Sequence, residues 1–297
     1  MLDYKLLHAL SVVVDEQNFD KAASVLAITQ SAVSQRIKSL EQTIGQPVLI
    51  RAQPIVATAI GKKLLAHYQQ VKLLEQDIIP DISGNNKNET ITANIASNAD
   101  SLATWLIAAI GDVCHEYNVA VNFRLADENR TINYLKNGEV FGALSTHQHA
   151  LPGCTLNKLG DMQYLLVASP SFIKSYFPDG INEQSLAKAP AVAYDQKDDM
   201  HIKYIEQTFS LKGGSYPCHT VRSSEAFVNF AKQGLAYCLI PKLQIQTELA
   251  VGELINLMPD NPITRTLYWH HWVLLKGVFK AFSISIIARA RHALNNQ

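Results

Sequence analysis

Apolar residues in the first 60 positions recur every three or four residues, which is the spacing of amphipathic α-helices. A first helix is predicted over residues 4–17, followed by a pair of helices over residues 21–26 and 30–44 that a tight turn at residues 27–29 joins. The apolar residues of the last helix form one face, at Val33, Ile37, Leu40 and Ile44. We expect this face to pack against the other two helices.

The opposite face of the last helix carries hydroxyl, amide and cationic side chains, at Ser31, Ser34, Gln35, Lys38 and Gln42. Gln pairs bidentately with adenine, Ser reaches several base edges and Lys binds phosphate, so this face suits the DNA major groove. Asp20 and Thr29 are the expected N-caps of the paired helices. The pattern predicts a helix-turn-helix whose second helix reads DNA. A helical hairpin with a solvated polar face would show the same pattern.

A short hairpin, or wing, is predicted over residues 46–57, where Pro54 makes one strand an edge strand. Thr58 is the expected N-cap of a long helix over residues 59–79. The apolar residues of this helix form a narrow stripe typical of coiled coils, at Leu64, Tyr68, Val71, Leu74 and Ile78. The stripe favours pairing with a second copy of the chain, and packing on its own domain is the alternative.

Residues 80–90, PDISGNNKNET, are poor in apolar residues and predict a hinge, after which short strands and helices alternate. Predicted strands cover residues 91–96, 120–125, 140–144, 164–168, 190–194, 219–221, 236–240 and 267–273. Predicted helices cover residues 101–117, 130–137, 170–176, 201–209, 224–233 and 279–294. Such alternation favours parallel sheets with helices on both faces, arranged here as two lobes.

In such sheets, ligands bind beyond the carboxyl ends of the strands, where helix N-termini point inward. Free N–H groups at Ser101 and Leu102 favour a carboxylate, whereas acidic residues in the neighbouring loops favour cations. The loops therefore suit a zwitterion with an extra positive end, although each acid alone could be a solvated loop residue or a helix cap. The candidate ligand-binding residues are Asn98, Asp100, Ser101, Leu102, Asp127, Glu128, Ser145, His147, Asp195, Ser223 and Glu225. Trp105 is expected to be a core residue.

Net charge and composition only limit the classes of protein to which the chain can belong. The 297 residues carry no net charge, which excludes a polycationic coat for nucleic acid, and residues 1–63 hold seven Lys and Arg against five Asp and Glu. No apolar run is long enough to span a membrane and no secretion leader precedes the first helix, so we expect a cytoplasmic protein. Free, buried thiols are expected at the four separate cysteines, Cys114, Cys154, Cys218 and Cys238.

Motifs of catalysis are missing, since the chain has no P-loop, GxGxxG or GxSxG sequence. His147 and His149 could share a strand face and bind a metal, but an exposed loop explains them equally. His270 and His271 have no acid or cysteine at ligand spacing and are expected at the surface or the cleft edge. Cys154 has no histidine near it in sequence. We therefore predict no enzyme, no catalytic residue, no cofactor and no metal.

Residues 22–51, AASVLAITQSAVSQRIKSLEQTIGQPVLIR, resemble without a gap the N-terminal signature of the LysR-type transcriptional regulators. Later segments resemble the ArgP subfamily, whose members respond to lysine and arginine: NADSLATWL (98–106), LPGC (151–154), DDMH (198–201), SSEAFV (223–228) and LYWH (267–270). The family's wing usually carries a second arginine that enters the minor groove. Pro54 or Ile55 stands there in this chain, which leaves that contact open.

The resemblance implies a regulator that binds double-stranded DNA, with lysine or arginine as its effector. The residues expected at base edges are Gln30, Ser31, Ser34 and Gln35. The residues expected to contact or orient against phosphates are Arg36, Lys38, Arg51 and Thr58. The resemblance also implies a homodimer or a dimer of dimers, contact with RNA polymerase, and target genes for basic amino-acid export or metabolism.

The predicted fold is an N-terminal all-α winged helix-turn-helix (residues 1–58) and a long linker helix with a hinge (59–90), followed by a C-terminal α/β effector domain. The effector domain (91–297) would resemble periplasmic binding proteins. Its first lobe would hold residues 91–163 and 266–297, and its second lobe residues 164–265, so the chain would cross near Gln163 and Arg265. Two other functions fit the pattern: an architectural DNA-binding protein without an effector, and an amino-acid enzyme with a fused DNA-binding domain.

Overall fold

The N-terminal domain is a helix-turn-helix with a wing, as the sequence predicts. The computed structural model describes residues 2–82, 90–195 and 198–295. The first elements are α1 (Tyr4–Glu16), α2 (Phe19–Leu26), α3 (Gln30–Ile44) and the antiparallel wing strands β1 (Leu49–Ile50) and β2 (Val56–Ala57). Fully buried side chains of all three helices, among them Leu7, Leu10, Val33 and Ile37, form one core. This core fixes the angle at which α3 presents its polar face.

The caps of the two paired helices are only partly as predicted. Thr29 caps α3, because its hydroxyl oxygen accepts the Ala32 N–H at 3.2 Å. The prediction that Asp20 caps α2 is wrong. Asn18 Oδ1 accepts the N–H groups of Asp20 at 2.7 Å and Lys21 at 3.0 Å, so α2 begins two residues earlier than expected. Asp20 lies in the first turn, where its charge favours the helix dipole.

Thr58 caps the linker helix α4 (Ala59–Ile82), because its hydroxyl oxygen accepts the Gly61 N–H at 3.1 Å. The first part of the predicted stripe packs on the N-terminal domain, since Leu64 is buried in the core of that domain and Tyr68 packs against it. Val71 and Leu74 are half-buried and lie outside that core, whereas the side chain of Ile78 lies outside the described residues. Pairing of α4 with a second copy therefore stays a prediction.

Within the described residues, the C-terminal domain has nine strands and their connecting helices. The strands are β3 (Ile91–Ser97), β4 (Val119–Leu125), β5 (Gly142–Ser145), β6 (Cys154–Ala168), β7 (Ala191–Ala193), β8 (Cys218–Thr220), β9 (Cys238–Pro241), β10 (Ile255–Asn256) and β11 (Ile263–Trp272). The helices are α5 (Ala99–Ser101), α6 (Ile107–Tyr117), α7 (Ile132–Lys136), α8 (Pro170–Tyr176), α9 (Glu183–Leu186), α10 (Asp199–Phe209), α11 (Ser224–Lys232), α12 (Gln246–Ala250) and α13 (Gly277–Asn295). A π-helical segment, Leu102–Leu106, joins α5 to α6, and a 3-10 turn, Lys242–Gln244, precedes α12.

Strand directions are mixed rather than uniformly parallel. The main sheet runs β10-β6-β11-β5-β3-β4, with β9 also on β6, while β7 and β8 form a second pair. The predicted parallel pairing holds for β3 with β4 and β5, and for β7 with β8. It is wrong for β6, which pairs antiparallel with β9, β10 and β11. The reason is that β6 and β11 are long strands that run in opposite directions through the sheet.

These two long strands divide the domain into two lobes. We call β3, β4 and β5 with α6 and α13 the first lobe, and β7 to β10 with α8, α10 and α11 the second lobe. Gln163 pairs with Thr264 and Arg265 with Met162 in the β6–β11 ladder, where the crossings were predicted. The predicted residue limits of the domains and lobes stay predictions, and the hinge at residues 83–89 lies outside the described residues.

Each lobe has its own apolar core. The first-lobe core surrounds the fully buried indole of Trp269 and holds Trp105, which is 5% exposed, as predicted for a core residue. The second-lobe core surrounds Phe172 and Tyr237. Packing is close, since a Cβ at Gly142 would lie 2.2 Å from the Trp269 ring. Ile263 of β11 packs against both cores, so the lobes meet at the two long strands.

Candidate functional site

The polar face of α3 is open to solvent. Gln30, Ser31, Gln35 and Lys38 are exposed, and Ser34 and Arg36 are half-buried. The Ser31 hydroxyl lies 3.0 Å from that of Thr29, which ties it to the N-cap of the helix. Because Val33, Ile37 and Leu40 are buried on the other side, the helix cannot rotate without exposing its core face. The face therefore presents its amides and hydroxyls in one fixed direction.

Glu41 holds the wing against α3. One of its carboxylate oxygens accepts the Val48 N–H at 3.0 Å, and the other pairs with the Arg51 guanidinium at 3.4 Å. The Thr58 hydroxyl donates to the Pro47 carbonyl at 2.9 Å and accepts from Gly61. Arg51 is exposed and can reach a phosphate, whereas the hydroxyl of Thr58 is engaged inside the domain. Sequence reasoning did not assign Glu41 this positioning role.

A cavity lies between the two lobes, at the carboxyl ends of β3, β4 and β7. Its empty volume, including open solvent at its mouth, is about 530 Å³. The first lobe contributes the loops that follow β3 and β4. The second lobe contributes Tyr194 and the first turns of α10 and α11. This position agrees with the expectation for a ligand site in such sheets.

Four of the candidate ligand-binding residues line this cavity, namely Asn98, Asp100, Asp127 and Glu128. Ser101 and Leu102 follow Asp100 and do not line it. The expectation of a free N–H at Leu102 is wrong, because this N–H donates to the Asn98 carbonyl at 3.3 Å in the first turn of the helix. Ser145 supports the lining from behind, because its hydroxyl donates to the Glu128 carbonyl at 2.9 Å and accepts the His147 N–H at 3.1 Å.

The remaining candidates are engaged elsewhere. Asp195 pairs with Arg130 at 2.9 Å and lies 3.9 Å from Arg222, so it links the loop before α7 to the loop after β7. Ser223 caps α11 by accepting the Ala226 N–H, and its hydroxyl donates to the exposed Glu225 at 2.9 Å. Ser223 and Glu225 thus belong to a helix cap, which was the alternative to ligand binding in the sequence analysis.

Asp100 joins the two lobes directly. Its carboxylate oxygens accept from the Tyr164 hydroxyl at 2.8 Å and the Ser224 hydroxyl at 2.6 Å. Burial raises the pKa of Asp100, and these two hydrogen bonds act in the opposite direction. Because Ser224 opens α11 of the second lobe, this contact holds the cleft in a closed arrangement.

The cavity is acidic. Glu128 is 6% exposed, and burial, followed by repulsion from Asp127, raises its pKa to about 7. Burial also raises the pKa of Asp198, against the lowering effect of the N–H groups of Tyr194 and His201 that its carboxylate accepts. With Asp100 and Asp127, four carboxyl groups line one cavity. A ligand with positive charge complements such a site.

Sequence reasoning missed the second-lobe side of the cavity. Asp198, Met200 and His201 line it from the first turn of α10, together with Ser224 and Phe227 of α11. His201 is 1% exposed, and within the described parts of the chain neither ring nitrogen has a hydrogen-bond partner. The same holds for both polar atoms of the buried Asn98 amide. The available signal was the position of DDMH at a helix start that follows a strand.

The remaining predictions concern metal binding, membrane helices, the cysteines and His270. Within residues 2–82, 90–195 and 198–295, no group of three His, Cys, Asp or Glu could hold a metal ion, and no helix is long and apolar enough to cross a bilayer. The four cysteines are free, but the expected burial is wrong for Cys218, which is exposed. The expected exposure of His270 is also wrong. Its ring is buried in β11 with Nε2 2.8 Å from the His147 carbonyl oxygen.

A winged helix-turn-helix joined by a long helix to a two-lobed domain with an acidic cleft defines a ligand-responsive DNA-binding regulator. Residues 4–62 match the bacterial regulatory helix-turn-helix protein family, lysR family, and residues 89–271 match the LysR substrate binding domain. The chain belongs to the LysR family of transcriptional regulators, and it is a regulator rather than an enzyme. The fold class predicted from the sequence is thereby confirmed.

Curated relatives extend over nearly the whole chain. The chain is 51% identical over 293 residues to the HTH-type transcriptional regulator ArgP of Aeromonas salmonicida, covering 99% of this chain and 98% of the relative. It is 50% identical over 270 residues to ArgP of Salmonella typhi, covering 91% and 90%. The resemblance to ArgP regulators that the sequence indicated is confirmed.

Two solved structures share the full architecture. ArgP from Mycobacterium tuberculosis superposes with a TM-score of 0.84 at 33% identity, covering 98% of each chain. Full-length LysG from Corynebacterium glutamicum with bound effector Arg superposes with a TM-score of 0.79 at 30% identity, covering 98% of this chain and 99% of that one.

Proposed function

We propose that this regulator senses a basic amino acid, L-lysine or L-arginine, in the cleft between its effector lobes. The observation that carries the proposal is the group of four carboxyls, Asp100, Asp127, Glu128 and Asp198, around one cavity. Cationic ends of a ligand would neutralise the repulsion among these groups. The structural likeness to LysG with bound effector Arg supports the same class of ligand.

The first-lobe side of the cleft suits the α-carbon end of an amino acid. The buried Asn98 amide offers a donor nitrogen and an acceptor oxygen that lack partners within the described residues. An α-carboxylate would accept from Nδ2, and an α-ammonium would donate to Oδ1. Asp127 and Glu128 lie along the same wall and would hold the ammonium charge.

Ligand binding would act on DNA through the two lobes. The Asp100–Ser224 and Arg130–Asp195 contacts already join them, and a ligand that adds contacts to both sides favours the closed arrangement. We propose that closure changes the spacing of the α3 helices in a homodimer or dimer of dimers paired through α4, and so alters DNA bending and contact with RNA polymerase. The proposed targets are genes for basic amino-acid export or metabolism, read in the cytoplasm.

Isothermal titration calorimetry with L-lysine, L-arginine, L-ornithine and L-norleucine tests the proposal. We expect saturable binding of the basic amino acids at micromolar to millimolar concentration and none of norleucine. Asp127→Ala should lose this binding because it removes a lining carboxylate, whereas Glu225→Ala, which removes an exposed carboxylate outside the cavity, should keep it. Binding of none of the basic amino acids to the wild-type protein would contradict the proposal and favour a DNA-binding protein without an amino-acid effector.

A further inference from the structure

The second-lobe wall of the cleft combines an apolar surface with a polar end. Val192, Phe227 and Leu239 line the cavity beside Met200, and the polar groups of Asp198 and His201 lie in the same turn of α10. A wall of this kind fits a side chain with a methylene stem and a hydrogen-bonding end. The first-lobe wall has a different character, since it presents the Asn98 amide and three carboxyls.

His201 is the unexplained group in this wall. Its ring is 1% exposed, and neither nitrogen finds a partner among the residues that the structure describes. The ring is held in place by Tyr237, with ring centroids 5.9 Å apart, and by Tyr216 at 5.8 Å. A buried polar group without a partner is destabilising, and a ligand that supplies the missing hydrogen bond offsets that cost.

We propose that His201, with Asp198 beside it, receives the cationic side-chain end of the bound amino acid and is a specificity-determining residue of the cleft. This inference rests on the proposed function, because it assigns the orientation of that same ligand. The α-carbon end then lies at the Asn98 side of the cavity, and the methylene stem contacts Phe227 and Leu239.

The chemistry of the two groups suits this role. A guanidinium carries five N–H donors and an ammonium three, and neither accepts, so the subsite must supply acceptors. Burial lowers the pKa of His201 to about 4, which keeps its ring neutral and one nitrogen lone pair free near pH 7. Asp198 Oδ1 accepts the backbone N–H of His201 at 3.2 Å, and both residues line the same cavity.

The pair of acceptors favours a guanidinium over an ammonium. The planar fork of arginine can donate to two neighbouring acceptors at once, whereas the compact ammonium of lysine can be satisfied by the carboxylate alone. Loss of the imidazole should therefore weaken arginine binding more than lysine binding. A hydrogen bond to a charged group corresponds to about a tenfold to hundredfold change in affinity.

Calorimetry with arginine and lysine on His201→Leu, His201→Gln and Tyr204→Phe tests the inference. We expect His201→Leu to weaken arginine about tenfold to a hundredfold and lysine by less, and His201→Gln, which keeps an acceptor, to restore most of the affinity. Tyr204→Phe is the matched control, since it removes a buried hydroxyl of α10 that bonds the Asn261 carbonyl at 2.9 Å, away from the cavity. Its arginine-to-lysine ratio should equal that of the wild type.

Equal loss for both ligands in His201→Leu, or no loss for either, would overturn the assignment while leaving the proposed function intact. Wild-type protein that binds neither ligand would overturn both. If His201→Leu fails to fold, the ¹⁵N resonances of the His201 ring in labelled wild-type protein decide the question, with His201→Gln used for assignment. Arginine should shift them, and unshifted resonances at saturation would contradict the contact.

Discussion

Glu128 illustrates how one buried carboxyl can link the cleft to pH. It is enclosed beside Asp127 and Asp100, and Arg265 is the cation that acts on it. Burial first, and Asp127 second, raise its pKa to about 7 from 4.5, so the folded protein binds a proton here that the unfolded chain has released. The contribution of Glu128 to stability therefore falls as the pH rises from about 4.5 to 7, and is constant above that range.

Affinity for a cationic effector should increase as the pH rises, in contrast to the stability contribution of Glu128. A cationic ligand favours the ionised carboxylate, which is only about one tenth of the population one unit below the pKa. We expect arginine binding to strengthen up to about tenfold between pH 6 and 8, while His201, with a pKa of about 4, stays neutral throughout. Calorimetry at several pH values in buffers of different ionisation enthalpy measures the released proton. Glu128→Gln should bind with a flatter pH profile, and a wild-type profile already flat from pH 6 to 8 would refute the link.

The sequence pattern indicated the cleft residues of the first lobe but not those of the second lobe. Asp127 and Glu128 follow a strand, and that position alone indicates the ligand edge of a sheet. Asp195 also follows a strand, yet its carboxylate pairs with Arg130. This partner is 65 residues away in sequence, so no local pattern reveals it. His201 is buried only because the second lobe closes over α10, so its burial depends on tertiary packing.

At the scale of elements, α3 was predicted to the residue because its apolar spacing, its N-cap and its C-terminal glycine all agree. β6 was predicted only from residue 164, although it begins at Cys154. Its first part, with Asn157, Lys158 and Asp161, has the composition of a loop. Pairing with β11 along its length makes it a strand, and such non-local pairing overrides local propensity.

The exposed face of α3 leads to a prediction about two roles in DNA binding. Gln30→Ala should relax sequence choice, because an amide that pairs bidentately with a base contributes about 1–3 kcal/mol of discrimination at one base pair. Lys38→Ala should weaken binding to all sequences alike and lower the salt slope by about one, because it removes one phosphate contact. Fluorescence anisotropy on operator and random DNA over a salt series separates the two. Equal losses for both variants on both DNAs would exclude these assignments.

At the scale of the whole molecule, the linker helix and the effector domain are in direct contact. Leu73 of α4 packs against the first-lobe core. Gly138, just after α7, lies against Ala66, and a Cβ there would be 2.5 Å from the Ala66 Cα and 2.9 Å from its carbonyl oxygen. The obstacle is backbone, so the neighbour cannot yield by rotating a side chain. We therefore expect a movement of the first lobe to be transmitted to α4, which is joined to the DNA-binding domain.

Gly138→Ala tests this contact, and the chain supplies a matched control in Gly153. Both glycines have φ of +74°, so alanine is strained equally at the two positions, but no described residue lies within 4 Å of a Cβ at Gly153. Gly153→Ala should lower the free energy of unfolding by about 1–2 kcal/mol, the cost of the left-handed conformation. Gly138→Ala should lose about 1–3 kcal/mol more through overpacking against α4.

Urea unfolding of the two variants measures the difference, and operator binding with and without arginine shows its consequence. Because Gly138 lies outside the cleft, arginine affinity should be unchanged in Gly138→Ala, while the effect of arginine on DNA binding should shrink. Equal destabilisation of both variants would mean that α4 does not pack on the first lobe in solution, and closure would then have to reach the DNA-binding domain by another route.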